Sequence, residues 1–279
     1  MARKRRRRKN KNKGILWWII FAVVVLTPTA AKYGPDTVKN ISQTNSTSQK
    51  TTSFKNSPSF SDTYETIAHW QFASGMQAVK IVNHNQSQLK ATDWKYSHIQ
   101  YSNLDTHNRA RVATAYLDNS NLGRSAGRPA QNWEPAGWHN QPITVNGKRV
   151  YPENRGHLIA YTLTFNLNSD GKQEKGAEGS SDNPKNLATQ TAFSNQQPMQ
   201  VYEEQVRTAL EKREKVIYRV QPVYLGSELM PRGYWTQAIS TNKKLNFNAY
   251  VWNVQPGVVF NYTTGRGKAD KNMTVDWTN

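Results

Sequence analysis

The sequence predicts an α+β domain, and three observations point there. Met199, Tyr202, Val206, Ala209 and Leu210 recur at the spacing of one helix face. KVIYRVQPVY (215–224) and LNFNAYVWNV (245–254) alternate in the manner of strands, with Leu245, Phe247, Ala249 and Val251 on one side. Gly171, Gly176 and Gly179, set among Lys, Glu, Asp and Ser, mark a long loop between 166 and 184.

Around that loop the order is strand, loop, strand, helix. YPENRGHLIAY (151–161) reads as a strand with His157 near its end. NPKNLATQTAFSNQQPMQVYEEQVRTALEK (183–212) reads as the second strand and the helix. Pro198 suits the first turn of that helix, which puts Asn195 at or just before its start. Glu203 and Arg207 then stand at i and i+4, the spacing of an ordinary surface ion pair.

The chain divides into three parts. MARKRRRRKNKNK, residues 1–13, carries nine of the 37 basic residues and no acid. An apolar run from Ile15 to Leu26 follows, too short for the ~20 residues of a spanning helix and closer to a signal-peptide core. Thr29 and Ala31 would serve a cut after Ala31, whereas the Trp17-Trp18 pair and the long basic end suit a retained anchor. Residues 1–31 are therefore a signal peptide or an N-terminal anchor, with the basic end cytoplasmic and the remainder exported. The destination is the outer face of the cytoplasmic membrane, or the medium if the leader is cleaved. Residues 32–63 are rich in Ser, Thr, Asn and Lys, with little to bury, and read as a disordered linker. Residues 64–279 form the domain.

Composition narrows the chemistry. With no cysteine, disulfides, thiolate metal sites and cysteine nucleophiles are excluded. Beyond residue 13 there remain 28 basic against 19 acidic residues, net +9, a field that draws polyanions. His69, His84, His98 and His107 show no metal-ligand pairing, and His139 reads as a packing residue beside Trp138.

Asn154-Arg155-Gly156-His157, Asn183-Pro184-Lys185-Asn186 and Asn195-Gln196, in that order and spacing, resemble the signature of the DNA/RNA non-specific endonucleases of the ββα-metal superfamily. The likeness is greatest to the membrane-anchored DNA-entry nucleases of Gram-positive bacteria. NWEPAGWH (132–139) and FNAYVWNVQPG (247–257) extend it over roughly residues 110–265. The resemblance implies a ββα-metal core within a mixed, mainly antiparallel sheet and helix domain. It implies hydrolysis of phosphodiester bonds in DNA and RNA without sequence preference, with Mg²⁺ as cofactor and Mn²⁺ as an alternative.

It also implies roles. His157 matches the general base and Asn195 the sole direct protein ligand of the metal. Asn186 matches the asparagine that holds histidine and phosphate, and Glu203 the acid that orients water. Arg207 matches an arginine near the phosphate, and Arg155 stands among the substrate contacts. Arg124 falls at the place of a phosphate-binding arginine, with Arg128 as a rival. The set is chemically coherent. Histidine titrates near neutrality and can take a proton from water. Mg²⁺ prefers oxygen and keeps several waters, so one amide oxygen suffices. Asn154 departs from the family's aspartate and supplies hydrogen bonds without charge. Two other readings of the basic domain are a tethered DNA receptor that does not cut and a glycan-binding protein. No protein partner is implied.

Overall fold

The computed structural model describes residues 62–278, so the leader and nearly all of the proposed linker lie outside the described residues. Among the described residues, no helix is long and apolar enough to cross a membrane. Asp62 already belongs to the fold, because its backbone N–H donates to Asn83 Oδ1. Thr63 caps the first helix, α1 (Tyr64–Ala68), through its side chain.

The centre is a six-stranded sheet in which every pairing is antiparallel. It comprises β1 (Val79–Ile81), β2 (His98–Tyr101), β3 (Ala113–Leu117), β8 (Val216–Val223), β9 (Gly233–Ser240) and β10 (Asn246–Trp252), in the order β1-β10-β9-β8-β3-β2. Three two-stranded ribbons accompany it. They are β4 (Ile143–Val145) with β5 (Lys148–Val150), β6 (Glu153–His157) with β7 (Leu187–Thr191), and β11 (Val258–Asn261) with β12 (Arg266–Ala269). Asn146 and Gly147 join β4 to β5, both with positive φ, as a two-residue hairpin of right-handed twist requires.

Register shows how the sheet is covered. Ala115, Tyr218, Ala238 and Phe247 lie opposite one another across four strands. They share the main core with Met199, Tyr202, Val206, Ala209 and Leu210, the stripe of a helix α3 (Pro198–Glu211). The neighbouring row Tyr116, Ile217 and Ile239 points to the other face and packs with Leu89 and Trp94. Further along that face, α1 sets Ile67 and Ala68 against Trp235, Tyr250 and Trp252. The apolar face of 245–251 is in the core as its alternation predicts, but the opposite face is buried too, so β9 is buried along its whole length. A central strand covered on both sides loses the polar half of the alternation.

The predicted helix after the second strand is two helices. A short α2 (Ala192–Gln196), capped by the Thr191 side chain, ends at Gln197, whose φ/ψ of −120°/−88° turns the chain before Pro198 opens α3. Asn195 therefore sits inside α2.

Candidate active site

The β6–β7 ribbon, α2 and the first half of α3 form one wall of a cleft of about 570 Å³. Segment 125–140 and residues 160–162 close the other side. His157, Asn195, Glu203, Arg155, Asn154 and Arg128 all line it.

Local rules place the histidine. Strand alternation sets Glu153, Arg155 and His157 on one side of β6, with Asn154 and Gly156 on the other. A Cβ on Gly156 would overlap the side-chain amide of Gln190, so glycine is what lets β7 pack this closely. His157 is the last residue of β6 and is 8% exposed. Its Nε2 lies 2.9 Å from the Ser181 carbonyl, which can only accept. Nε2 therefore carries the proton, and Nδ1 is the basic nitrogen. Burial drives the imidazole pKa down to about 4, and Arg128 adds to this, while the Ser181 contact and Asp182 oppose it.

Asn186, fully buried, has its amide committed to the backbone. Its Oδ1 accepts from Ile159 N and its Nδ2 donates to Ile159 O, both at 2.9 Å, while its own carbonyl accepts from Leu158 N. It fixes the chain just after His157, and its fully buried side chain is not part of the cleft lining. Asn195 is the converse case: half-buried in the cleft wall, with no hydrogen bond to its side chain among the described residues. Glu203 lies one turn into α3 and faces the same cleft. Its carboxyl is pushed up to about 8 by burial, with Arg207 pulling the other way.

The arginines divide. Arg155 is held by its Nε to the Trp133 carbonyl at 2.8 Å, with its guanidinium 4.5 Å from the Trp138 ring centre. Arg128 lines the cleft, whereas Arg124 is exposed and is not part of its lining. Arg207 points to the carbonyls of Thr162 (3.2 Å) and Gly123 (3.4 Å) and pairs with Glu211 at 3.9 Å, so it braces the far wall. The i/i+4 spacing of Glu203 and Arg207 thus does not produce a direct ion pair among the described residues.

Some cleft residues are not marked by motif spacing. Gln131 donates to the carbonyls of Arg155 and Ser181, and Ser181 Oγ donates to Pro129 O, which ties the far wall to the histidine. Glu153 is 1% exposed. Its Oε2 accepts from His139 N at 2.8 Å while Oε1 has no partner, and burial pushes its carboxyl up to about 7. The signal available for it was its even spacing from Arg155 and His157 along the strand. Among the described residues no cluster of three or more His, Cys, Asp or Glu is positioned for a metal. A hard cation that keeps most of its water needs no such cluster, and the Asn195 amide, in the same cleft as the Glu203 carboxyl, fits one.

The fold that carries this cleft has counterparts among known proteins. A profile of the DNA/RNA non-specific endonucleases matches residues 86–242, more than half of the chain. The chain belongs to the DNA/RNA non-specific endonuclease family. NucA from Streptococcus agalactiae, solved with a magnesium ion bound, superposes with a TM-score of 0.59 at 31% identity, covering 72% of this chain and 89% of that one. The same nuclease with no metal bound gives 0.58 at 30%, with the same coverage. Sda1 nuclease with a bound zinc ion shares the fold, at a TM-score of 0.52 and 21% identity over 68% of this chain and 95% of its own. The protein is a nuclease of α+β architecture, as the residues around His157 lead one to expect.

Proposed function

We propose that this nuclease is a divalent-cation-dependent endonuclease that hydrolyses phosphodiester bonds of DNA and RNA without reading sequence, with Nδ1 of His157 as general base. The observation that carries this reading is the tie from Nε2 to the Ser181 carbonyl, which leaves Nδ1 as the acceptor in a cleft shared with Asn195.

In this reading Asn195 holds Mg²⁺, or Mn²⁺ in its place, through its amide oxygen. When bound, the ion supplies charge relief on the phosphoryl and leaving oxygens. His157 takes a proton from water as the water oxygen attacks phosphorus, the P–O bond to the leaving sugar oxygen breaks, and that oxygen takes a proton from solvent water to leave as a hydroxyl. Glu203 orients water beside Asn195. Arg128 and Arg155 hold the phosphate, with Arg128 filling the role that position alone assigns to Arg124. Asn186 and Arg207 fix the backbone on either side of the cleft. Contacts of this kind go to phosphate and not to base edges, so binding weakens steeply with salt.

Residues 1–31 would export the domain, leaving it anchored to the outer face of the cytoplasmic membrane or released. Fractionation of cells, with N-terminal sequencing of the product, decides between the two. The activity is tested by plasmid cleavage with Mg²⁺, with EDTA, and with His157→Ala. Cation-dependent cutting lost in the variant upholds the reading. Binding without cutting by the parent protein turns it into the non-catalytic receptor.

A further inference from the structure

Away from the cleft, three rings stack at the edge of the main sheet. The imidazole of His98 lies 4.4 Å from the Tyr116 ring at an interplanar angle of 4°, and 4.6 Å from the Tyr96 ring at 30°. His98 and Tyr116 are directly opposed on β2 and β3, so the stack follows from register. The imidazole is fixed at both nitrogens, with Nδ1 3.0 Å from the Tyr96 carbonyl and Nε2 3.3 Å from Gln100 Nε2. β2 is the last strand of the sheet, and Tyr96, which ends the stack, is 57% exposed. No other large hydrophobic side chain among the described residues is more exposed.

Basic residues occur on the segment that leads into the stack. Trp94 packs in the same small cluster as Tyr116, and Lys215 Nζ stands 4.3 Å over the Trp94 ring. Lys90 and Lys95 are exposed on the same segment, where Asp93 is the acidic residue between them, and Glu214 precedes Lys215. None of these residues lines the catalytic cleft.

An aromatic stack buried for stability would end on a covered ring. This one ends on Tyr96, 57% exposed and next in sequence to the exposed Lys95, with the Lys215 ammonium over the Trp94 ring of the same cluster as Tyr116. An open π-face near cations is the combination that takes a base and its adjoining phosphates. We propose that Tyr96, His98 and Tyr116 form a platform for an unpaired nucleobase, with Lys95 and Lys215 holding the flanking phosphates of a single-stranded stretch. Resting on the nuclease reading for its substrate class, the platform is a second contact that favours single-stranded over duplex nucleic acid. A cationic aromatic patch for a duplex backbone alone would not require a free ring face.

The test uses the full chain carrying His157→Ala, so that the probe survives, and a short oligothymidylate containing one 5-iodouracil. Irradiation is expected to crosslink the base to Tyr96 or His98. Adding Tyr96→Ala should remove that crosslink and weaken binding about tenfold, within the range for loss of one base–aromatic stack. Tyr96→Trp should restore both, and a duplex of the same length should bind all these forms alike. Crosslinks confined to the catalytic cleft, unchanged binding by Tyr96→Ala, or displacement of the crosslink by a neutral oligosaccharide would each overturn the proposal. Plasmid cleavage by the His157-containing chain is measured alongside. Its absence would defeat the nuclease reading while leaving the crosslink to judge the platform.

Discussion

The Nε2–H of His157 donates to the backbone carbonyl of Ser181 across 2.9 Å, and this single bond selects the tautomer of the ring. Because the acceptor is backbone, no side-chain substitution at 181 removes it. Because the loop bearing it is itself held by Ser181 Oγ on Pro129 O, the ring's orientation depends on contacts from the opposite cleft wall.

Burial holds the imidazole at about 4, so the proton-accepting form is present throughout the neutral range. Cleavage at saturating cation should fall only below about pH 5, with its acid limb near 4. A pH–rate profile with the limb between 6 and 7 would contradict this. The same group affects stability. Between pH 4 and 6.5 the unfolded chain binds the proton and the folded chain does not, so its contribution rises with pH through that window. The full difference corresponds to ~3 kcal/mol. Urea titrations of the parent and His157→Gln should diverge most near pH 4.

Asn186 is expected to matter first for folding. Asn186→Ala leaves Ile159 N and O without partners in a buried site, at a cost of about 2–4 kcal/mol. Chemical denaturation should show that loss, and cleavage per folded molecule should fall less than in His157→Ala. An Asn186→Ala protein of parental stability but with no activity would instead place this amide on the substrate.

Asn195 gives the opposite signature. With no hydrogen bond to its side chain among the described residues, Asn195→Ala should leave the thermal midpoint in EDTA unchanged. The cation concentration for half-maximal cleavage should rise by more than the ~10- to 100-fold that follows loss of an outer-shell partner. Equal loss of stability with and without cation would remove Asn195 from the metal site.

Much of this was legible beforehand. The α3 stripe and the inner face of β10 followed from period alone, because one side of each packs on the main core. The strand reading of 151–161 also puts His157 near a strand end, where β6 has it. Side chains whose partners are backbone atoms distant in sequence were not legible. Arg207 reaches Thr162 O and Gly123 O, and Asn186 spends itself on Ile159, contacts that no spacing rule contains. The separation of α2 from α3 depends on the unusual backbone of Gln197, whose residue type gives no warning. Arg124 and Arg128 are alike in composition, and only the path of the loop decides which one enters the cleft. His98 carries no signal in the sequence because its stacking partner Tyr116 is on another strand.

Glu153 carries the last prediction, and its sign is opposite to that of His157. Its carboxyl is 1% exposed, holds His139 N through Oε2, leaves Oε1 unpaired, and is pushed up to about 7. A carboxyl raised above its unfolded value of 4.5 contributes stability below that value and loses it as pH rises through about 7. Glu153→Gln keeps an acceptor for His139 N–H and cannot ionise. It should therefore match the parent at pH 5 and exceed it by roughly 1–3 kcal/mol at pH 8 in EDTA. Glu153→Ala loses the tie to the 137–139 turn, frees Trp138 from its place beside Arg155, and should be less stable at pH 5. Urea titrations at the two pH values separate these cases. A Gln variant weaker than the parent at pH 8 would mean that the ionised carboxylate has a cationic partner in the cleft, with the neighbouring Arg155 the first candidate to substitute.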